Sequence, residues 1–378
     1  MKFDNQLRYA VQIIDAYKGD TPLHAWLKDY FRANKQMGSR DRKQLSTLVY
    51  SFYRLGHSAN HLPVKERIIT GLFLCTGQPG ELLAHFNPAY NDAITQPLTE
   101  KLAATDIHPT DIFPWKDELS PAIDHEAFGL SFLRQPDLFL RIRPGHETAT
   151  RQILGDQAEF IPPSTLRLPN GFKVEAHFTP DNEVVVQDYS SQRIAEFLQS
   201  PEPPHTFWDA CAASGGKSIL AHDLYPAMDL TVSDIRESIL ANLRARFGAA
   251  GIKKYHSFLA DLTRGDIVNL PVAHLVLADV PCTGSGTWGR TPEDLFFFNP
   301  RGIDNYQITQ RKILANIATH LAPGAKLVYS TCSVFKKENE EMVAFLRENF
   351  AMQPEKTETL VGYPIHADTL FASRLSKS

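Results

Sequence analysis

The second half of the chain alternates short apolar runs with stretches of helical periodicity. The runs are TFWDA from residue 206, DLTVSD from 229, AHLVLADV from 273 and KLVYST from 326. Parallel strands need a crossover connection, which a helix usually supplies, so this alternation predicts an α/β domain with a doubly wound parallel sheet. Ligands bind such sheets at the carboxyl ends of the strands. The residues that follow each run are therefore the first candidates for a site.

The chain ahead of this domain changes character twice. Apolar residues recur at helical spacing from Leu7 to about Tyr53 and more weakly to about residue 125, which predicts an all-α domain over residues 1–127. Strand-like runs follow at 139–142, 164–168 and 183–188, and they predict a small α+β linking domain over residues 128–200. The proline cluster SPEPPH at 200–205 marks the next boundary. The α/β domain should then cover residues 201–378.

Composition excludes several classes of protein. No run approaches the ~20 apolar residues of a membrane helix, and the N-terminus has no signal-peptide pattern, so we expect a cytoplasmic protein. The four cysteines, Cys75, Cys211, Cys282 and Cys332, lie far apart without a C-x-x-C pair. This spacing disfavours both a zinc site and a secreted disulfide framework. We expect no metal, and the sequence indicates no obligate protein partner.

The charge of the chain is unevenly distributed. The formal net charge is −4, which argues against a strongly electrostatic nucleic-acid binder. Residues 1–60, however, contain ten Lys or Arg and five acidic residues, so this stretch carries +5 and the remainder −9. Either a local basic face or an ordinary solvated helix surface accounts for this asymmetry.

A glycine loop follows the first apolar run, in TFWDACAASGGKSIL. Gly215 and Gly216 let backbone N–H groups approach a ligand closely, and a helix should begin near Lys217. One interpretation is a phosphate-binding loop, but Cys211 occupies the position of its first glycine. The other is an adenosine-containing cofactor, for which Asp234 at the second strand end would accept the ribose hydroxyls. Asp234 could instead cap a helix.

The remaining strand ends carry an acid or a cysteine. In FLADL, Asp261 could accept from an adenine amino group, and AHLVLADVPCTGSG places Asp279, Pro281 and Cys282 almost in a row. In LVYSTCSVFKKENEEM, Cys332 sits where a strand should give way to a charged helix. A helix N-terminus favours thiolate, so this cysteine could be reactive. It could equally be a small apolar residue that fills a corner.

Five motifs in this order resemble a known family. They are Asp209-Ala-Cys-Ala-Ala-Ser-Gly-Gly-Lys217, Ser233-Asp234-Ile235, Ala260-Asp261, Asp279-Val-Pro-Cys-Thr-Gly-Ser-Gly286 and Tyr329-Ser-Thr-Cys-Ser333. From about residue 128 to the end the chain resembles the RsmB or Sun (Fmu) family of S-adenosylmethionine-dependent RNA (cytosine-5)-methyltransferases. Residues 1–60, with SRDRKQLSTLVYSFYR, resemble the NusB-like RNA-binding domain that precedes this catalytic domain in bacterial members.

The resemblance implies roles for particular residues. Cys332 would attack carbon 6 of the cytosine, and Cys282 would assist release of the product. Asp279 would bind the cytosine edge, with Lys217 near the target, while Pro281 shapes the pocket. The implied fold is a Rossmann-like methyltransferase domain, preceded by the α+β linking domain and the all-α NusB-like domain.

The resemblance also implies a cofactor and a substrate. S-adenosylmethionine would lie on Asp234, Asp261, Asp279 and the loop residues Cys211, Ala212, Ala213, Ser214, Gly215, Gly216 and Lys217. RNA would be the partner, with small-subunit ribosomal RNA favoured over transfer RNA. A catalytically silent assembly factor would share this fold and remains the alternative from another class.

The sequence departs from the family pattern at some positions. Ser214 replaces the usual proline of the first motif, which should loosen the loop without removing its N–H donors. The stretch HADTLFASRLSKS stands where many members have D-G-F-F and a strand, which leaves the packing of the last strand open. Residues 61–127 match the NusB-like pattern poorly.

Overall fold

The computed structural model describes residues 2–265 and 270–378, which fold into two compact units. The helical unit consists of the residues up to Leu119, Asp124–Gln135 and Thr287–Asn299. The sheet unit consists of Ser120–Ile123, Pro136–Gly286 and Pro300–Ser378. The boundaries drawn from the sequence at 127/128 and 200/201 stay predictions.

The helices and strands are named in chain order. The helices are α1 (Phe3–Ala16), α2 (Leu23–Ala33), α3 (Ser39–Arg54), α4 (Val64–Cys75), α5 (Glu81–Phe86), α6 (Pro88–Asp92), α7 (Leu98–Ala103), α8 (Pro109–Ile112), α9 (His125–Ser131), α10 (Glu147–Leu154), α11 (Tyr189–Gln192), α12 (Ala195–Leu198), α13 (Gly216–Leu224), α14 (Glu237–Ala249), α15 (Pro292–Phe297), α16 (Arg301–His320) and α17 (Glu340–Phe350). The strands are β1 (Leu138–Ile142), β2 (Glu159–Ile161), β3 (Thr165–Leu168), β4 (Val184–Val186), β5 (Thr206–Asp209), β6 (Asp229–Asp234), β7 (His256–Leu259), β8 (Leu275–Asp279), β9 (Lys326–Thr331), β10 (Met352–Leu360) and β11 (Leu370–Lys377).

The helical unit is built from amphipathic helices, as the periodicity predicts. The buried residues of α1 and α3 recur at helical spacing and include Leu7, Ala10, Ile14, Leu45, Leu48, Val49 and Phe52. Helix α15 completes this core from far along the chain: Leu295 is fully buried, and the backbone N–H of Leu23 donates to Glu293 at 3.0 Å. The sequence pattern places residues 287–299 with the α/β domain instead, because it carries no information on such long-range packing.

A small antiparallel sheet opens the sheet unit. Its strand order is β2-β3-β1-β4, with pairs β1/β3, β1/β4 and β2/β3. The three predicted runs form β1, β3 and β4. Strand β2 has only three residues, none of them fully buried, which is too short for the alternation that marks a strand in the sequence.

The large sheet confirms the predicted α/β class. Its order is β10-β11-β9-β8-β5-β6-β7, and the pairs from β9 to β7 are parallel. Apolar clusters cover both faces, as expected for strands that are buried on each side. The chain leaves β5 in one direction to β6 and β7 and in the other to β8 and β9. This reversal creates the crevice in which doubly wound sheets bind their ligands.

The C-terminal segment closes the large sheet with an antiparallel strand. Strand β11 pairs with β9 on one side and β10 on the other, so the stretch HADTLFASRLSKS does form the last strand. Its start lies against the loop after β8, since the backbone N–H of Thr369 donates to the carbonyl of Gly286 at 3.0 Å.

Candidate active site

The loop between β5 and α13 needs unusual backbone conformations. Ala213 has φ 47° and Gly215 has φ 85°. A Cβ at Gly215 would lie 2.8 Å from the Phe247 ring, so glycine is required both by its conformation and by the close packing of α14. Helix α13 begins at Gly216, close to the predicted start. The loop from Cys211 to Lys217 therefore lies at the carboxyl end of β5, where its backbone can face a ligand.

Ser214, the residue that replaces the family's proline, is held by a side-chain contact. Its hydroxyl accepts from the Arg246 guanidinium at 3.0 Å. Arg246 in turn forms a two-bond ion pair with Asp181, at 2.6 and 2.8 Å. The ion pair orients Arg246 of α14, and Arg246 in turn holds the β5–α13 loop at Ser214. The replacement of proline by serine does not by itself predict this restraint.

Asp234 ends β6 and binds the same loop. It accepts from the backbone N–H of Ala213 at 3.0 Å, and from the backbone and guanidinium of Arg236 at 2.9 and 3.1 Å. Arg236, rather than Asp234, occupies the position that precedes α14, so the helix-cap interpretation is wrong. The Asp234 carboxylate is buried but the Arg236 side chain is 58% exposed, so the arginine can move aside for a ligand hydroxyl.

Asp261 follows β7 and has apolar neighbours. It accepts from the backbone N–H and the hydroxyl of Thr263 at 3.0 and 2.6 Å, and the bond from this hydroxyl lowers its pKa. Ile235 and Leu259, at the ends of β6 and β7, are more than half exposed. Carboxylates beside exposed apolar side chains suit a planar, partly polar group. Neither apolar residue was predicted from the sequence, although Ile235, which directly follows the last acid of β6, carried a usable signal.

Asp279, at the end of β8, is paired with Lys217. The Lys217 Nζ lies 2.6 Å from Asp279 Oδ2, and the Ser330 hydroxyl donates to Oδ1 at 2.6 Å. Burial opposes the charge of Lys217, but the ion pair with Asp279 outweighs it and raises the lysine pKa. The two residues predicted to lie near the target are thus in contact.

The two predicted cysteines meet beside this ion pair. The Sγ atoms of Cys282 and Cys332 are 3.3 Å apart, at the ends of the neighbouring parallel strands β8 and β9. The hydrogen bond with Cys332, together with burial, raises the pKa of the Cys282 thiol. The expectation that Cys332 sits at a helix start is wrong, because residues 333–335 are irregular and residues 336–339 form a turn before α17 begins at Glu340.

Asp209, the last residue of β5, is a site residue that the sequence did not single out. Its Oδ2 accepts from the Ser218 hydroxyl at 2.6 Å, but its buried Oδ1 has no hydrogen-bond partner among the residues that the structure describes. Burial raises the pKa of Asp209 to about 7. A buried carboxylate oxygen without a partner calls for a donor. The sequence signal for Asp209 was its place directly before a glycine loop. That signal does not indicate that one of its oxygens lacks a partner.

The four thiols of the chain have different neighbours. All four cysteines are free. Burial raises the pKa of Cys75 to about 12 and that of Cys211 well above its ordinary value. The pKa of Cys282 is raised as well, by its hydrogen bond with Cys332 and by burial. Contact rather than burial therefore makes Cys282 and Cys332 the pair to consider for thiol chemistry, because their Sγ atoms lie 3.3 Å apart.

The described ranges contain neither a metal cluster nor a membrane-spanning helix. Within residues 2–265 and 270–378, no group of three or more His, Cys, Asp or Glu side chains is placed to hold a metal ion. In those same ranges no helix combines the length and apolar character needed to cross a membrane.

The part of the chain that carries this site is similar to a known protein family. Residues 196–369 match the family described as 16S rRNA methyltransferase RsmB/F. The chain is 30% identical over 204 residues to a probable ribosomal RNA small subunit methyltransferase B from Bacillus subtilis, covering 53% of this chain and 44% of that protein. It is 29% identical to the probable Synechocystis enzyme of that name, covering 67% and 63%. The chain thus spans about half the length of the curated relatives it matches.

Solved structures share the fold. The crystal structure of PH0851 has a TM-score of 0.67 and 20% identity, and the match covers 97% of both chains. A methyltransferase homolog protein from Pyrococcus horikoshii has a TM-score of 0.57 and 18% identity over 69% of this chain and 92% of that one. At these identities the similarity supports the architecture alone.

Proposed function

We propose that this chain, whose residues 196–369 belong to the RsmB/F family of 16S rRNA methyltransferases, methylates carbon 5 of a cytosine in ribosomal RNA. The observation that carries the proposal is the pair of thiols 3.3 Å apart beside the Lys217–Asp279 ion pair. Relatives named for the small ribosomal subunit favour ribosomal RNA over transfer RNA as the substrate.

The cofactor of this family is S-adenosylmethionine, which supplies an electrophilic methyl group when bound. The residues around the β5 loop fit it. Asp234 can accept ribose hydroxyls, Ile235 and Leu259 can flank the adenine, and Asp261 can accept from its amino group. The unpartnered Asp209 Oδ1 suits a cationic or N–H donor group. Cys211, Ala212, Ala213, Ser214 and Gly216 would line the loop through their backbone.

The chemistry follows from the weakness of carbon 5 as a nucleophile. We infer that the Cys332 thiolate adds to carbon 6, and that the displaced electron pair makes carbon 5 nucleophilic enough to take the methyl group. The proton on carbon 5 then leaves as the bond between sulfur and carbon 6 breaks, and Cys282 assists this release. Asp279, held by Lys217 and Ser330, would bind the cytosine edge and stabilise the adduct. The base must leave its stack to reach this pocket.

The proposal is tested with labelled methyl groups. The purified protein is incubated with methyl-labelled S-adenosylmethionine and small-subunit RNA from cells that lack the gene. We expect label in 5-methylcytidine after nuclease digestion, and bisulfite sequencing of RNA from cells with and without the gene should locate the site. Label in transfer RNA but not in ribosomal RNA would show that transfer RNA is the substrate instead. Absence of label from every RNA would leave the assembly-factor alternative.

A further inference from the structure

A buried carboxylate, Glu338, lies between the two loops that carry the cysteines. Its Oε1 accepts from the backbone N–H of Thr283 at 2.9 Å and from the Gln310 amide at 3.0 Å. Its Oε2 accepts from the hydroxyls of Thr283 and Ser333. Thr283 follows Cys282 and Ser333 follows Cys332. Three of these four hydrogen bonds thus come from a residue next to a proposed catalytic thiol.

The groups around Glu338 connect the same two loops. The Gln310 amide also donates to the carbonyl of Pro281 at 3.0 Å, and the Tyr329 hydroxyl donates to the Glu338 carbonyl. The backbone N–H of Gly286 donates to the Cys332 carbonyl at 2.9 Å. Glu338 accepts from the loop after β8 and from the loop after β9 at once. The Ser285 hydroxyl joins the same loops more weakly, since it accepts from the Thr283 hydroxyl at 3.1 Å and from the backbone N–H of Val334 at 2.9 Å.

We propose that Glu338 is a positioning residue, whose hydrogen bonds hold Cys282 and Cys332 at the spacing that the thiol chemistry requires. The purpose of this positioning rests on the proposed function. The hydrogen bonds of Glu338 do not depend on it. Glu338 is fully buried, and burial raises its pKa against the opposing hydrogen bonds from Ser333 and Thr283. A side chain without an acceptor would leave the Thr283 N–H and one N–H of the Gln310 amide buried without a partner, so the two loops should be held less firmly at their present spacing.

Substitutions distinguish hydrogen bonding from charge. Glu338→Gln keeps one oxygen for the two N–H donors, and its amide can donate to the two hydroxyls, which also accept. Glu338→Met keeps the approximate size and removes every acceptor. The matched control is Glu340→Gln, since Glu340 is a partly buried acid of the same segment but accepts from the Ser120 hydroxyl instead of from Thr283 or Ser333. Glu338→Gln should therefore behave like the wild type, and Glu338→Met should not.

The first measurement does not depend on methyl transfer. Diamide takes two electrons and two protons from a pair of thiols and leaves a disulfide, and peptide mass spectrometry identifies the Cys282–Cys332 product. Proximity governs this rate. We expect Glu338→Met to form the disulfide at least tenfold more slowly than the wild type, with Glu338→Gln within about threefold and Glu340→Gln unchanged. Equal rates for Glu338→Met and the wild type would overturn the proposal.

The second measurement is steady-state methylation of RNA. Glu338→Met should lower kcat at least tenfold while the KM for S-adenosylmethionine stays within about twofold, because the cofactor loop is separate. A raised KM with unchanged kcat would contradict a positioning role. A wild type that is oxidised rapidly but transfers no methyl group would overturn the proposed function alone, and diamide would still decide the role of Glu338.

A second variant keeps the proposal testable if Glu338→Met fails to fold. Circular dichroism would reveal that failure. Thr283→Val removes the hydroxyl donor on the Cys282 side and keeps the shape of the side chain. It should slow disulfide formation and kcat severalfold. Wild-type rates in Thr283→Val would overturn the proposal.

Discussion

Single residues of the same type meet different environments in this site. Asp234 accepts from a loop N–H and from an exposed arginine, Asp279 is paired with a lysine, and Asp209 is buried with one oxygen unpartnered. These environments suit three different roles, which are hydroxyl binding, charge stabilisation and acceptance of a hydrogen bond from a donor group. The three carboxylates should therefore respond differently to substitution and to pH.

Substitution of Asp234 tests the cofactor site. If it accepts two ribose hydroxyls, Asp234→Ala should weaken S-adenosylmethionine binding by about 1.5 to 3 kcal/mol, which is roughly tenfold or more. Asp234→Asn should be milder because one acceptor survives. Asp229→Ala, at the opposite and exposed end of β6, is the control and should bind like the wild type. Unchanged affinity of Asp234→Ala in calorimetry would refute the assignment.

The raised pKa of Asp209 predicts a pH dependence of stability. The carboxyl has a pKa of about 7 in the folded chain against 3.8 ordinarily, so folding favours its protonated form. The stability it contributes is fully present below about pH 4 and is lost as pH rises through about 7, by on the order of 4 kcal/mol at most. Asp209→Asn should remove this loss. Urea unfolding at several pH values measures the difference, and identical pH profiles in both proteins would contradict it.

At the scale of elements, the loop after β8 depends on close backbone packing. A Cβ at Gly286 would lie 1.9 Å from the Thr369 carbonyl oxygen, so β11 approaches the loop after β8 too closely for any side chain. Gly286→Ala should therefore destabilise the fold by about 2 to 3 kcal/mol. Gly248→Ala, in α14 with open space around its Cβ, should stabilise by about 0.5 to 1 kcal/mol. Thermal unfolding measures whether each variant is more or less stable than the wild type. Unchanged stability of Gly286→Ala would refute the close contact.

Most elements were predictable from local pattern. The runs that became β5, β6, β8 and β9 are short, apolar and bounded by helical stretches, so their positions follow from the sequence. Strand β10 was not predictable, because MQPEKTETL is an edge strand whose residues are largely exposed or half-buried. The helix expected directly after Cys332 was misplaced because Glu338 and Asn339 are buried in a turn.

The same limit applies to the site. Cys211, Asp234, Asp261, Asp279, Cys282 and Cys332 could be located because each follows a parallel strand, and the topology brings such ends together. The role of Glu338 could not be predicted from the sequence, because its partner Thr283 lies 55 residues away in the chain. The unpartnered oxygen of Asp209 could not be predicted either, because the sequence does not show whether a side chain at a strand end is buried.

At the scale of the whole molecule, the excess positive charge of residues 1–60 predicts how RNA is held. Phosphate contacts position a substrate without reading its sequence, and each contact adds to the salt dependence of binding. Arg40 and Lys43 belong to α3, and Arg40 is exposed. Replacing both with alanine should weaken RNA binding and reduce the slope of log affinity against log salt by about 1.5.

The control for this prediction is Lys253 and Lys254. Both are exposed and precede β7, at the edge of the sheet opposite the strand ends that form the site. Alanine at these two positions should leave the salt slope unchanged. Equal slopes for both double variants would show that the N-terminal charge is an ordinary solvated surface. Deletion of residues 1–125 is a poorer test, because Leu295 and the rest of α15 would lose their core.

The different moments at which the two thiols are proposed to act give the most direct test of the thiol mechanism. Each cysteine is replaced with alanine, incubated with RNA and S-adenosylmethionine, and run on a denaturing gel with and without nuclease. Cys282→Ala should accumulate protein covalently joined to RNA, seen as a slow band that nuclease removes, because the adduct forms but is not released. Cys332→Ala should form no such band and transfer no methyl group. A band with Cys332→Ala instead would exchange the two roles, and two active variants without any band would contradict the thiol mechanism altogether.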